Sequence, residues 1–177
     1  MTKINYDNLK INDDFNAHVI GLWKQYNEIT DSIYKAMGGT ANIVSEFAEK
    51  LVTKHYNGKQ LQASHKSADV VYTDEKGNEK LIQVKSRRKK KVTSSALGII
   101  RSWDFDYLVV VLFSTDGIVL KAIEVDVDIA KGKDIATPNK HQNGWVITTT
   151  EKFLEHPMAR DITEDLNRII FTMGENT

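Results

Sequence analysis

The chain contains no cysteine. Disulfides, thiolate-based zinc sites and a cysteine nucleophile are therefore excluded. It also lacks a net charge, since 24 Lys and Arg offset 24 Asp and Glu. No apolar run approaches the roughly 20 residues that a membrane-spanning helix needs. The opening MTKINYDNLK has no apolar core of the signal-peptide kind. A cytoplasmic protein with no membrane partner is the expectation. The histidines at 18, 55, 65, 141 and 156 form no close pair at helical ligand spacing, which argues against a histidine-built metal site.

What the chain does have is enough apolar residue, 41% of 177, to bury a core of its own. A single domain is expected: a helical extension over 1–38, a core over 40–126 and a tail with helices over 127–177. Its charge is unevenly spread. Lys85-Ser86-Arg87-Arg88-Lys89-Lys90-Lys91 is a dense cationic run, whereas acids gather at Asp13-Asp14 and between Glu124 and Asp128. A neutral protein with one basic face still binds a polyanion.

Periodicity orders the elements. Phe15, Val19, Leu22, Trp23 and Tyr26 recur at three and four, and Ile29, Ile33 and Ala36 continue the stripe. This predicts one long helix or two shorter ones over about 6–37, broken at Gly38-Gly39. A second helix is expected from Thr40, its N-cap, to His55, burying Ile43, Val44, Phe47 and Leu51. Strands are expected over 60–63, 68–73 and 79–86, the last two joined by the turn Asp74–Asn78. Residues 93–103 are expected to be a short helix or a loop. The run 106–114 is continuously apolar, as in a strand covered on both faces, and 118–127 alternates. Residues 137–144 look like a loop and 145–149 like one more strand. Thr150 or Thr163 is expected to cap the C-terminal helices.

One constellation carries chemistry. Residues two apart on a strand share a face, so Gln83 and Lys85 face a common point while Ile82 and Val84 face away. The hairpin brings Asp69 beside that point. Asp69 offers a carboxylate, Gln83 an amide oxygen and Val84 a backbone carbonyl, the oxygen ligands a hard cation such as Mg²⁺ prefers. Lys85 would orient or deprotonate a water, or neutralise charge at a phosphate. Alternating polar residues are, by themselves, more often the wet face of a strand. The register with Asp69 tips the balance.

The stretch from Gly38 to Arg88 resembles the PD-(D/E)xK nuclease superfamily, which includes many restriction endonucleases and Holliday-junction resolvases. The matching residues are Glu46 in a helix, Ser67-Ala68-Asp69 at a strand and Gln83-Val84-Lys85 on the next. The later strand 106–113 fits that family's αβββαβ core, so the resemblance covers roughly 40–126. It implies an α/β fold with a mixed central sheet flanked by helices, Mg²⁺ (or Mn²⁺ in its place), and catalysis by Glu46, Asp69, Gln83 and Lys85. Glu46 rests on the resemblance alone. Pairing with Lys50 is its ordinary alternative, and Glu49, taken to lie one face away, is its competitor. Ala68 stands where proline is usual, a common departure. Gln83 stands where Asp or Glu is usual, which removes a negative charge from the metal site.

The implied function is a DNA endonuclease of the type II restriction kind, cutting double-stranded DNA as a homodimer; the N-terminal helices, which have no counterpart across that superfamily, are the expected dimer interface. Lys66, Ser86, Arg87, Arg88, Lys89, Lys90, Lys91, Ser94 and Arg101 are the expected DNA contacts. The alternatives are a nuclease for branched DNA, repair or phage replication, and a non-catalytic DNA-binding protein that has kept the fold, which Gln83 favours. Trp23, Trp103 and Trp145 are expected in the core.

Overall fold

The computed structural model describes residues 13–36, 42–62 and 67–174. The expected break at Gly38-Gly39, the Thr40 cap, and His65 and Lys66 lie outside these. The chain forms two compact units, Met1–Ile43 and Val44–Thr177. In the first, the apolar stripe gives one helix, α1 (Asp13–Ala36). Its Trp23 is 62% exposed and stacks on Tyr26 at 5.6 Å, so it is not a core residue.

The second unit is mixed α/β. It holds α2 (Ile43–His55, its first residue closing the first unit), β1 (Lys59–Gln60), β2 (Val70–Thr73), β3 (Glu79–Arg88), β4 (Ala96–Ile100), β5 (Tyr107–Phe113) and β6 (Val119–Asp126). There follow α3 (Val127–Ala130), β7 (Ala136–Asn139), β8 (Gly144–Thr148), α4 (Glu151–Leu154), β9 (Arg160–Asp161) and α5 (Thr163–Gly174). Among the described residues the strands make a six-stranded sheet, ordered β1-β2-β3-β5-β6-β9, and a three-stranded sheet, β4-β8-β7. Only β3 and β5 pair in parallel in the larger sheet; its other pairs are antiparallel.

β5 is the spine. Its apolar run is buried on both faces, as its composition predicts. Leu108, Val110 and Leu112 join Ile100, Phe105, Ile147 and Phe153 on one side. Val109, Val111 and Phe113 join Ala48, Leu51 and Val52 of α2 and Leu166 of α5 on the other. Each such side chain contributes about 1.5–3 kcal/mol when fully buried, enough to hold β5 central.

The β2–β3 hairpin sets the register of the site. Asp74 Oδ1 accepts the backbone N–H groups of Lys76 and Asn78 at 2.9 and 2.8 Å, and Gly77 takes φ +83°, a conformation that side chains resist. Val70 is thereby placed opposite Ile82.

Further expectations change. Residues 96–100 form a strand, neither helix nor loop, so the helix that an αβββαβ order places between the third and fourth strands is replaced by β4. The β-branched Ile99 and Ile100 find partners in Val146 and Trp145, far along the chain and invisible to local periodicity. Residues 136–139, expected mostly as loop, form β7. Asp69 precedes β2, which begins at Val70. Thr150 caps α4, accepting Phe153 N–H, but Thr163 does not cap α5: its hydroxyl accepts Ala122 N–H at 2.8 Å. No helix among the described residues is long and apolar enough to cross a membrane.

Candidate active site

The site lies within the second unit, where the start of β2 meets the middle of β3. Alternation on β3 works as expected. Ile82 and Val84 enter the core cluster beneath α2, and Gln83 and Lys85 point to the opposite face. One oxygen of Asp69, Oδ2, accepts the backbone N–H of Val84 at 2.7 Å and the side-chain N–H of Gln83. Backbone bonds from Asp69 to Ile82 and from Leu61 to Asp69, at 2.9 and 2.7 Å, fix the aspartate from both sides. Asp69, Gln83 and Val84 therefore converge as a unit.

Gln83 is only 8% exposed. Its Nε2 faces Asp69 and lies 3.4 Å from the Val84 carbonyl. Turning the amide over would present its oxygen instead. Lys85 follows on the same face. Burial pushes its amine below the usual lysine range and Arg101 adds to this, while Asp69 and Glu49 pull it back up.

Two glutamates of α2 complete the cluster. Residues three apart lie on the same helical face, so Glu46 and Glu49 are neighbours and the expectation that separated them is corrected. Gln60 of β1 joins them: its Nε2 donates to Glu46 Oε1 at 2.7 Å and to Glu49 Oε2 at 3.0 Å. Glu46 also pairs with Lys50 at 3.3 Å, as its ordinary reading had it. Glu49 is the one that senses the site. Burial, then the Asp69 charge, raise its carboxyl to about 7, with Glu46 adding to the rise and Gln60 and Lys85 opposing it. Sequence reasoning gave Glu49 second place. The helical spacing to Glu46 was the available signal.

Among the described residues no three His, Asp or Glu side chains form a group that would hold a metal ion unaided. The donor set still fits a hard cation. Asp69, Glu49, the Val84 carbonyl and a turned Gln83 amide are all oxygen ligands. Burial first, and the Asp69 charge after it, raise Glu49 to about 7, as happens where carboxylates crowd a partly buried site.

The expected DNA contacts divide in two. The Ser86 hydroxyl donates to the Val44 carbonyl at 3.3 Å, tying β3 to α2. Arg87 and Arg88 donate to the carbonyls of Ala96 and Thr115, and Lys89 to those of Thr93 and Ser94. These side chains brace the loop while their charge stays at the surface. Lys90, Lys91, Ser94 and Arg101 are exposed. Trp103 and Trp145 are packed against the core, with ring centroids 5.4 Å apart. No protein-family model and no curated protein matches this chain.

Proposed function

We propose that this chain is a Mg²⁺-dependent endodeoxyribonuclease that hydrolyses phosphodiester bonds of double-stranded DNA, in the manner of a type II restriction enzyme with a PD-(D/E)xK-like core. The observation that carries the reading is one cluster. Asp69, Gln83 and the Val84 carbonyl meet at one point of β3, Lys85 follows on the same face, Glu49 feels the charge of both Asp69 and Lys85, and the basic run starts at Lys85 itself.

Asp69, Glu49, Val84 and Gln83 would hold the ion, with Glu46 supporting through Gln60. When bound, Mg²⁺ supplies Lewis-acid stabilisation of the phosphate charge. Burial makes the neutral amine of Lys85 more accessible than in an exposed lysine, which suits it to take the proton of the attacking water. Water oxygen bonds to phosphorus while its proton passes to Lys85, and the P–O bond to the leaving oxygen breaks with its electron pair going to that oxygen, which a solvent water then protonates. Lys90, Lys91, Ser94 and Arg101 contact the backbone, with Arg87, Arg88 and Lys89 adding field.

The exposed apolar residues of α1, namely Val19, Leu22, Tyr26 and Ile29, support a homodimer. They repeat at three and four, as a helix-pairing seam does, and two copies would supply one site per strand. A non-catalytic DNA-binding role has one observation in its favour: Gln83 satisfies Asp69 with a hydrogen bond, where an acid would demand a cation.

The test is incubation of the chain with plasmid and phage DNA in Mg²⁺ or chelator, beside Asp69→Ala. Discrete fragments that require both Mg²⁺ and Asp69 are expected. Intact linear DNA with cleavage of a four-way junction would move the substrate to branched DNA, and binding without any cleavage would favour the non-catalytic role.

A further inference from the structure

The smaller sheet ends in a loop whose chemistry differs from that of two hairpin turns of the larger sheet. β7 and β8 pair from Ala136↔Ile147 to Asn139↔Gly144, so Lys140, His141, Gln142 and Asn143 project as the hairpin tip, and all four are exposed. The tip is ordered by its own contacts. Asn139 Oδ1 accepts the Gln142 N–H at 3.2 Å, and Asn143 takes φ +48°, a conformation asparagine tolerates. Its root is clamped on β4. A Cβ on Gly144 would fall 2.5 Å from the Ile100 carbonyl oxygen, so only glycine permits this approach.

The tip carries no carboxylate and no apolar side chain. Two hairpin turns of the larger sheet contain Asp74 and Glu75, and Asp116, which repel a phosphate backbone. In Asn139–Asn143 every side chain instead offers hydrogen-bond donors, and the amides and imidazole also offer acceptors. The position matters as much. Ile100 pairs with Trp145, the neighbour of Gly144, and the residue that follows β4 is Arg101, whose charge reaches Lys85. By strand spacing the tip lies within about 10–15 Å of Arg101, or about three to four base pairs along a duplex.

We propose that the β7–β8 hairpin tip is the base-reading element, entering the major groove so that Lys140, His141 and Gln142 select the DNA sequence presented to the site. This rests on the duplex-DNA reading above and adds the specificity determinants to it. A β-ribbon fits the major groove. Gln pairs there with the N6 and N7 of adenine, and Lys with the O6 and N7 of guanine. Asn139, Asn143 and Gly144 shape the loop, and β4 links its register to the cleavage point.

The test selects from a randomised duplex library with the full chain and reads two things: the sequences retained in chelator, and the sequences flanking ends produced in Mg²⁺. The wild-type chain should show one preferred sequence. Lys140→Ala and Gln142→Ala should each relax preference at one or two adjacent positions by about tenfold, with retention of the preferred sequence falling to match. Gln142→Glu should move preference at its position from adenine toward cytosine, which a merely structural loop would not do. Variants that keep the wild-type preference overturn the proposal. So does a wild-type chain that cuts with no preference, which leaves the nuclease reading standing. A preference that is relaxed by the variants, without cleavage, upholds the hairpin and removes the hydrolytic reading. Neither retention nor cleavage removes both.

Discussion

Glu49 and Glu124 are both partly buried, and burial raises the carboxyl pKa of each. Their surroundings set them apart. Glu124, on β6, is 11% exposed. It accepts the Tyr56 hydroxyl and has Arg160 at 3.8 Å. That arginine lies 5.8 Å over the Tyr56 ring, with its other nitrogen 3.2 Å from His55. Burial, then Arg160, push the His55 ring below its usual pKa. This cluster supplies its own cation. Around Glu49 the sign is reversed: Asp69 and Glu46 push its carboxyl further up, and Gln60 and Lys85 only partly offset them. A buried acid with an internal partner is a structural device. A buried acid facing other acids is, on the function proposed above, the place for a cation from outside the chain.

The comparison breaks first at the site. Asp69→Asn keeps the shape of the side chain and removes its charge, and Lys85→Gln removes the amine. Each should lower Mg²⁺-dependent plasmid cleavage by about a hundredfold or more, with the thermal midpoint little changed. The two should then diverge. In Asp69→Asn the Glu49 carboxyl falls back toward 4.5, and in Lys85→Gln it rises above about 7, which a carboxyl NMR titration resolves. Equal titration curves in the two variants would break the electrostatic account.

Glu49→Gln comes next. The wild-type carboxyl is raised from 4.5 to about 7, so its contribution to stability is full below about pH 4.5 and is lost as pH rises to about 7. Without metal at pH 8 the variant should therefore be more stable than wild type, by on the order of 1 kcal/mol after solvent screening. Denaturant titration at pH 4 and pH 8 reads this. Cleavage should fall at least about tenfold, and the stabilisation that Mg²⁺ gives the wild type should shrink.

Glu124→Gln should have the smallest effect. The amide can still accept from Tyr56, and cleavage should stay within about twofold of wild type. Burial raises Glu124 as well, so its contribution likewise declines as pH rises. Loss of cleavage in this variant would join the two clusters functionally and end the contrast.

Much of the site was legible in the sequence because strand alternation is local. Ile82 and Val84 against Gln83 and Lys85 needed only the period of two and the turn at Asp74–Asn78. The alternating faces of β5 were equally visible. Ranking Glu49 against Glu46 was not, since it depends on what the α2 face meets after docking, and both carboxylates are bound by Gln60 of another element. The basic run was visible in the sequence as charge, and its reading as phosphate contact belongs to the proposed function. Its bracing bonds to Ala96 and Thr115 depend on loops brought close by β4 and β6.

The sequence by itself determined the elements whose information is periodic or steric: the stripe of α2, the face of β3 that carries Gln83 and Lys85, the two-sided burial of β5, and the lack of any thiol chemistry. Tertiary structure decided what depends on distant partners. It made residues 96–100 a strand because Trp145 and Val146 offer them a ladder. It placed the hairpin at 140–143 at the end of that ladder, and it buried Glu49 and brought Asp69 near it, which together raise its carboxyl to about 7. The physical reason is that periodicity acts between neighbours in the chain, whereas strand pairing and Coulomb interactions act between neighbours in space.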